Sequence, residues 1–164
     1  HEDVGAVNTI LRALGVADLP RWGSEIWTAR AAIVLVDVWQ WTPFCFLVLL
    51  AGLSALPEEV YEAAVLDTSS GWDIFRFVTL PLLTPVLFTV IMLRLVEAFK
   101  MLDIPFSLTN GGPGAATQTM SFYIYLTGLR NFNQGYASAM AYFLLIAMMI
   151  IAMIFFRRMR QNFD

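Results

Sequence analysis

The chain has one cysteine and one histidine, and both shortages exclude chemistry. Cys45 lies in an apolar run with no second thiol, so an internal disulfide is impossible and no metal-ligand spacing exists. Without a second histidine there is no His-Glu-x-x-His helix, and no serine–histidine pair is evident. Charge is scarce too: 14% of 164 residues, with 10 Lys+Arg against 13 Asp+Glu and a net charge of −3. The basic residues are scattered, so there is no stripe for nucleic acid. No Gly-x-x-x-x-Gly-Lys-Ser/Thr loop is present to hold a nucleotide, no cofactor is expected, and no repeat or low-complexity tract interrupts the chain. It begins at His1 in polar sequence without a basic leader, and we read it as the later part of a longer polypeptide.

Apolar sequence is abundant. Hydrophobic residues make up 59%, and a mean hydropathy of +0.67 is more than a water-facing globule of this size tolerates. About 20 apolar residues cross the hydrocarbon of a bilayer. Three segments are long enough: 31–53, 77–108 and 136–156. Backbone in lipid must satisfy its own hydrogen bonds, so all three are expected to be helices of an all-α integral membrane fold. The middle one is too long for a straight crossing and turns charged after Leu93. The last stops at Arg157-Arg158-x-Arg160, which argues for a cytoplasmic end. Arg12, Arg21, Arg30 and Arg130 on the opposite side balance Arg76 and those three, so charge alone leaves the orientation open.

The polar ends carry structure as well. Val7, Ile10, Leu11 and Leu14 recur at helical spacing before Gly15, which predicts a short amphipathic helix. Asn110-Gly111-Gly112-Pro113-Gly114 is a helix stop, and Thr117–Tyr125 leads from it towards the last span.

Between the first two spans the chain reads LPEEVYEAAVLDTSSGWDIFRFVTLP. Pro57 at the first helical position and Glu58-Glu59 in the first turn predict a helix through Val60–Leu66. Ala63 and Ala64 are small enough to let a partner surface come close. Asp67-Thr68-Ser69-Ser70-Gly71 breaks that helix. Ser70 with Asp73 has capping-box spacing and starts a second helix, Gly71–Val78, carrying Trp72, Phe75 and Phe77. From the residues alone this is a helix–turn–helix at the membrane face, either a docking element or an interfacial hairpin with an aromatic belt.

Polar residues inside a span are costly and mark functional candidates. Asp37, Gln40, Trp41 and Phe44 fall on one face of the first span, and Pro43 is expected to kink it. A carboxylate, an amide and flat rings suit a hydroxylated ligand; a structural alternative pairs Asp37 with a cation on another helix. In the second segment Arg94, Glu97, Lys100 and Asp103 follow at three-residue steps with alternating sign. Each step turns by about 60°, so these charges spiral around the helix, while Arg94, Glu97, Ala98 and Met101 share a face. Ala137, Ser138, Ala139 and Ala141 in the last span suit close helix packing.

The order Glu62-Ala63-Ala64, Thr68, then Val78-x-Leu80-Pro81 resembles the EAA loop of ABC importer permeases, which usually has Gly at the Thr68 position and Ile at the Val78 position. With LTNGGPG after it and GYASAMA before the last helix, nearly the whole chain resembles the sugar-type permeases of the maltose and glycerol-phosphate transporter group, of MetI-like fold. The resemblance implies the C-terminal part of a six-helix-core permease, multi-pass in the plasma (inner) membrane of a prokaryote. It places 1–30 and 109–135 outside, and the coupling loop 54–76 and the tail 157–164 in the cytoplasm. It further implies ATP-binding cassette subunits, a second homologous permease subunit and an extracytoplasmic solute-binding protein as partners. Glu62, Ala63, Ala64 and Asp67 would touch the ATPase. Asp37, Gln40, Trp41, Phe44, Arg94, Glu97 and Met101, with Ala98, would line a path for a sugar, polyol or related solute. The chain is then no enzyme; the rivals are a membrane-embedded enzyme using Asp37 with Glu97 or Asp103, and a purely structural membrane subunit. Thr68 departs from the pattern, because a β-branched residue resists the positive φ that glycine accepts. Either the turn avoids positive φ or Thr68 is a cap in its own right.

Overall fold

The computed structural model describes residues 6–15 and 24–161. The remaining parts of the expected N-terminal segment, with Arg21, and the last three residues of the expected tail lie outside the described residues. The elements are α1 (Ala6–Ala13), α2 (Ile26–Ser54), α3 (Glu58–Asp67), α4 (Gly71–Ile74), α5 (Leu80–Lys100), α6 (Asp103–Leu108), α7 (Met120–Tyr125) and α8 (Gln134–Gln161), with no strand among the described residues. A π turn at Phe75–Thr79 joins α4 to α5, and another at Leu126–Arg130 follows α7. Among the described residues, three helical runs are long and apolar enough to cross a membrane: Ile26–Ser54, Gly71–Lys100 and Gln134–Arg158.

The ends of these runs differ from the apolar count, each for a local reason. In α2 the helix begins before the hydrophobic stretch, where the Ala29 amide donates to the Glu25 carbonyl at 3.0 Å and Thr28 Oγ1 donates to the same oxygen at 3.1 Å. The helix continues through Pro43 as one element. The expected second segment, 77–108, is not one helix: it starts earlier, because α4 runs through the π turn into α5 without a break, and it stops at Lys100. Leu102 leaves helical geometry at φ −124°, ψ −45°, and Thr119 Oγ1 donates to the Met101 carbonyl at 2.6 Å. Asp103 therefore opens α6 instead of continuing the charged series of α5. The last helix starts two residues before Tyr136, capped by Asn133 Oδ1, which accepts from the Tyr136 amide at 3.3 Å. At its other end α8 carries Arg157 and Arg158 and runs on to Gln161.

Two compact units divide the chain. The first comprises His1–Gln40 and Phe99–Ile146. Its core gathers Ala29, Ala32, Ile33, Ile104, Pro105 and Phe122, the last only 1% exposed. Phe106, Phe122 and Tyr125 pack ring against ring, with Phe106 and Tyr125 edge-on at 5.5 Å. The loop after α6 turns through Asn110 at φ 50° and Gly111 at φ 84°. Gly111 is required twice over, since a Cβ there would also come within 2.9 Å of Phe122 Cε1. Arg30 Nε donates to the Ala116 carbonyl at 3.1 Å and holds this loop to α2.

The second unit comprises Trp41–Ala98 and Ala147–Asp164. In it α2 meets α5 at Gly52, where a Cβ would stand 2.8 Å from Val86 Cγ1. The α5 residue Phe88 meets Phe155 of α8 edge-on at 5.3 Å. Little of any span is buried by the chain itself: none of the most apolar window of α2, 11% of that of the second run and 6% of the third. Such uncovered apolar helices fit lipid or other helices, not water.

Candidate functional site

The loop between the first two spans is built from its hydrogen bonds outward. Pro57, in extended geometry at φ −64°, ψ 132°, is the N-cap of α3 and not its first helical residue as the sequence suggests. The helix closes at Thr68, whose amide donates to the Ala64 carbonyl at 3.1 Å. Thr68 itself is extended, φ −149°, ψ 143°, which any residue adopts. Its hydroxyl accepts from the Ser70 amide at 3.1 Å, and Ser70 Oγ accepts from the Asp73 amide at 3.3 Å. Both alternatives for Thr68 hold together: the turn has no positive φ, and the threonine is a cap. The expected capping-box contact from Ser70 is present, and Thr68 supplies the other half that a Glu or Gln would supply in the full motif.

This turn folds α4 and the π turn back beside α3, leaving a groove of about 450 Å³ lined in part by Ala63, Ala64, Asp67, Asp73, Phe77 and Val78. Glu62, Ala63 and Asp67 are exposed, whereas Ala64 is buried. The four residues Glu62, Ala63, Ala64 and Asp67 are thus split, three accessible and one packed beneath. Leu66, 88% exposed, and Trp72, 66% exposed, present apolar surface from the same loop. Trp72 stacks on Phe75 at 5.5 Å. One contact escaped the sequence reading: Tyr61 Oη donates to Thr79 Oγ1 at 3.1 Å. No spacing rule pairs those positions, which meet only because the chain turns at Thr68–Ser70.

Among the polar residues of the spans, the structure brings Trp41, Phe44 and Arg94 together. The Arg94 guanidinium lies over the Trp41 ring, 4.7 Å from its centroid, and Phe44 meets the same ring edge-on at 5.7 Å. An indole face is the best aromatic partner for a cation, and shielding from water strengthens the attraction. Arg94 and Glu97 are half-buried on α5, and Ala98 is exposed. In the first unit, Asp37 is half-buried and Gln40 exposed on α2. Met101 lies past the end of α5, and its carbonyl serves Thr119. Among the described residues no cluster of three His, Cys, Asp or Glu could hold a metal ion.

The sequence of residues 9–164 matches the family described as binding-protein-dependent transport system inner membrane component. The trehalose/maltose transport system permease protein MalF of Thermococcus litoralis is 40% identical over 159 residues, covering 96% of this chain and 54% of that protein. Two crystal structures share the fold. One is a bacterial ABC transporter involved in the import of the acidic polysaccharide alginate, with a TM-score of 0.80 at 23% identity over 96% of this chain and 55% of the other. The other is a bacterial alginate ABC transporter in complex with alginate pentasaccharide-bound periplasmic protein, with a TM-score of 0.77 at 24% identity over 92% and 52%. The chain spans about half the length of the curated relatives that head this comparison. With three apolar helices long enough to cross a bilayer and a match over nearly all its length, the chain is a membrane protein that belongs to the family of binding-protein-dependent transport system inner membrane components.

Proposed function

We propose that the chain is part of the permease subunit of an ATP-driven ABC importer for a sugar, polyol or related solute, seated in the inner membrane of a prokaryote. The observation that carries this reading is the split of the coupling loop. Ala64 and Thr68 anchor α3 to the rest of the loop, while Glu62, Ala63 and Asp67 stay accessible beside a groove. A helix held on one side and open on the other suits docking against a separate ATP-binding cassette subunit. On this reading loop 54–76 and the end of α8 face the cytoplasm, and the N-terminal segment and loop 109–135 face outward. The further partners are a second homologous permease subunit and a solute-binding protein of the kind found in the alginate transporter complex.

Trp41 and Phe44, with Arg94 across from them, supply flat rings and a cation, and Asp37, Gln40 and Glu97 supply acceptors and an amide. Rings stack on the apolar faces of a sugar, and polar groups bind its hydroxyls. Met101 contributes through its side chain only. Polar groups at moderate depth form a transient site, open first to one side and then to the other as the ATPases close and open.

The decisive test is Glu62→Lys in the full importer reconstituted in vesicles. The substitution puts the opposite charge on the exposed side of α3. Uptake and substrate-stimulated ATP hydrolysis are expected to disappear while the permease still inserts and pairs. Uptake at the wild-type rate would refute the docking role.

A further inference from the structure

The Tyr61–Thr79 hydrogen bond stands out for where it runs. Two other threonines of the same helical run spend their hydroxyls on their own backbone, Thr84 on the Leu80 carbonyl at 2.7 Å and Thr89 on the Pro85 carbonyl at 3.0 Å. Thr79 is buried, 7% exposed, and its oxygen instead accepts from the Tyr61 hydroxyl of α3 at 3.1 Å. It closes the π turn, in which the Leu80 amide reaches back to the Phe75 carbonyl. The additional residue of such a turn shifts everything after it around the helix by about 100° relative to a regular α-helix. Thr79 is the last residue of this turn, so the segment that contacts α3 is also the one that sets the phase of the span beyond it, and π turns of this kind recur at functional positions.

The consequence is mechanical. The chain path from α3 to the second span runs through one turn, Thr68–Ser70, and a body joined at one point pivots there. Tyr61 lies seven residues before Thr68, about 10 Å along the helix at about 1.5 Å per residue. Its bond to Thr79 is a second fixing point, at the other end of the lever and next to Glu62. We infer that Tyr61 and Thr79 are positioning residues whose hydrogen bond makes α3 and the span beginning at α4 move as one body, so that force applied at the Glu62 face turns the membrane helix instead of bending the loop. The inference rests on the proposed role of the loop in a transporter.

The test compares Tyr61→Phe, Thr79→Val, Thr79→Ser and the Tyr61→Phe/Thr79→Val double variant in the full importer in vesicles. Glu62→Lys and the wild type run alongside. The readout is substrate moved per ATP hydrolysed, with assembly checked by co-purification. Tyr61→Phe and Thr79→Val are each expected to lower that ratio roughly two- to tenfold, the worth of one shielded hydrogen bond. Thr79→Ser keeps the acceptor and the ratio, and the double variant is no worse than the stronger single one. If Thr79→Val fails to assemble, Tyr61→Phe, which removes one oxygen, decides alone. An unchanged ratio in Tyr61→Phe, or losses that multiply in the double variant, would overturn the inference while a dead Glu62→Lys keeps the transport reading standing. Full uptake in Glu62→Lys would instead remove the reading on which the inference depends.

Discussion

At Gly52 α2 and α5 approach closely within the second unit, and replacing this glycine has a cost that can be worked from the contacts. A Cβ at this position would stand 2.8 and 2.9 Å from the two methyl groups of Val86 and 3.2 Å from Leu83 Cδ1. Carbon atoms in contact prefer about 3.5–4.0 Å, so the first two distances fall short by more than half an ångström. Valine in a helix has one strongly favoured χ1. It cannot swing both methyls away, and the helices must part or Val86 must strain. Overpacking of this kind costs about 1–3 kcal/mol. Against it, alanine is better than glycine inside a helix by about 1 kcal/mol. The expected net effect of Gly52→Ala is a loss on the order of 1 kcal/mol, read as a lower unfolding midpoint of the permease in detergent. The sharper measurement is the cycle with Val86→Ala. Removing both methyls opens the space that the new Cβ needs, so Gly52→Ala in that background becomes neutral or stabilising. A cycle in which the two substitutions simply add would refute the close approach as its cause.

Two other outcomes follow from contacts in the same unit. Thr68→Val deletes the acceptor for the Ser70 amide and costs about 1 kcal/mol of loop stability; slower uptake is expected, with Thr68→Ser close to wild type. Thr68→Gly is not a rescue, since the extended backbone at Thr68 has no need of glycine and the added freedom loosens the turn; better uptake than wild type would contradict this. For the ring cluster, Arg94→Leu and Trp41→Leu are expected to show a coupling of about 0.5–2 kcal/mol in thermal unfolding. Additive losses would dissolve the cation–ring contact.

The three spans were legible because their signal is bulk: long apolar runs are visible to any window, and lipid permits only helices to fill them. What bulk hydrophobicity cannot see is where the hydrogen-bond ladder changes character. The sequence 77–108 reads as one long segment because Met101 and Leu102 are apolar and carry no turn or breaker signal. The helix ends there while Thr119, 18 residues further on, takes the Met101 carbonyl. The π turn at Phe75–Thr79 is invisible as well: its residues, two aromatics, an arginine and the β-branched Val78 and Thr79, include no Gly or Pro to mark a change in the hydrogen-bond ladder. Local chemistry was more readable. Ser70 and Asp73 gave the second cap because that contact spans only three residues. Extending α5 to Met101 assumes that a helix continues wherever its hydrophobic pattern does, whereas the helix ends at Lys100.

Thr68 shows how a departure from an expected pattern should be weighed. A glycine at a turn is commonly taken to mean positive φ, so a threonine there reads as a conflict. The conflict vanishes once the backbone stays extended and the side chain takes over part of the turn's hydrogen bonding. With glycine the Ser70 amide would have no side-chain oxygen at this position to accept it. With threonine the turn gains a fixed acceptor and loses conformational freedom. The same reasoning links the turn to the Tyr61–Thr79 contact. A stiff turn and a second fixing point act on the same lever, so removing both should cost more motion than either alone, and the order of loss distinguishes them. A loosened turn still leaves α3 tied at Tyr61, whereas a lost Tyr61 bond leaves only the turn and the packing of Ala64 to hold it. Tyr61→Phe should therefore lower the substrate moved per ATP more than Thr68→Val does. The reverse order would mean that the turn alone carries the force.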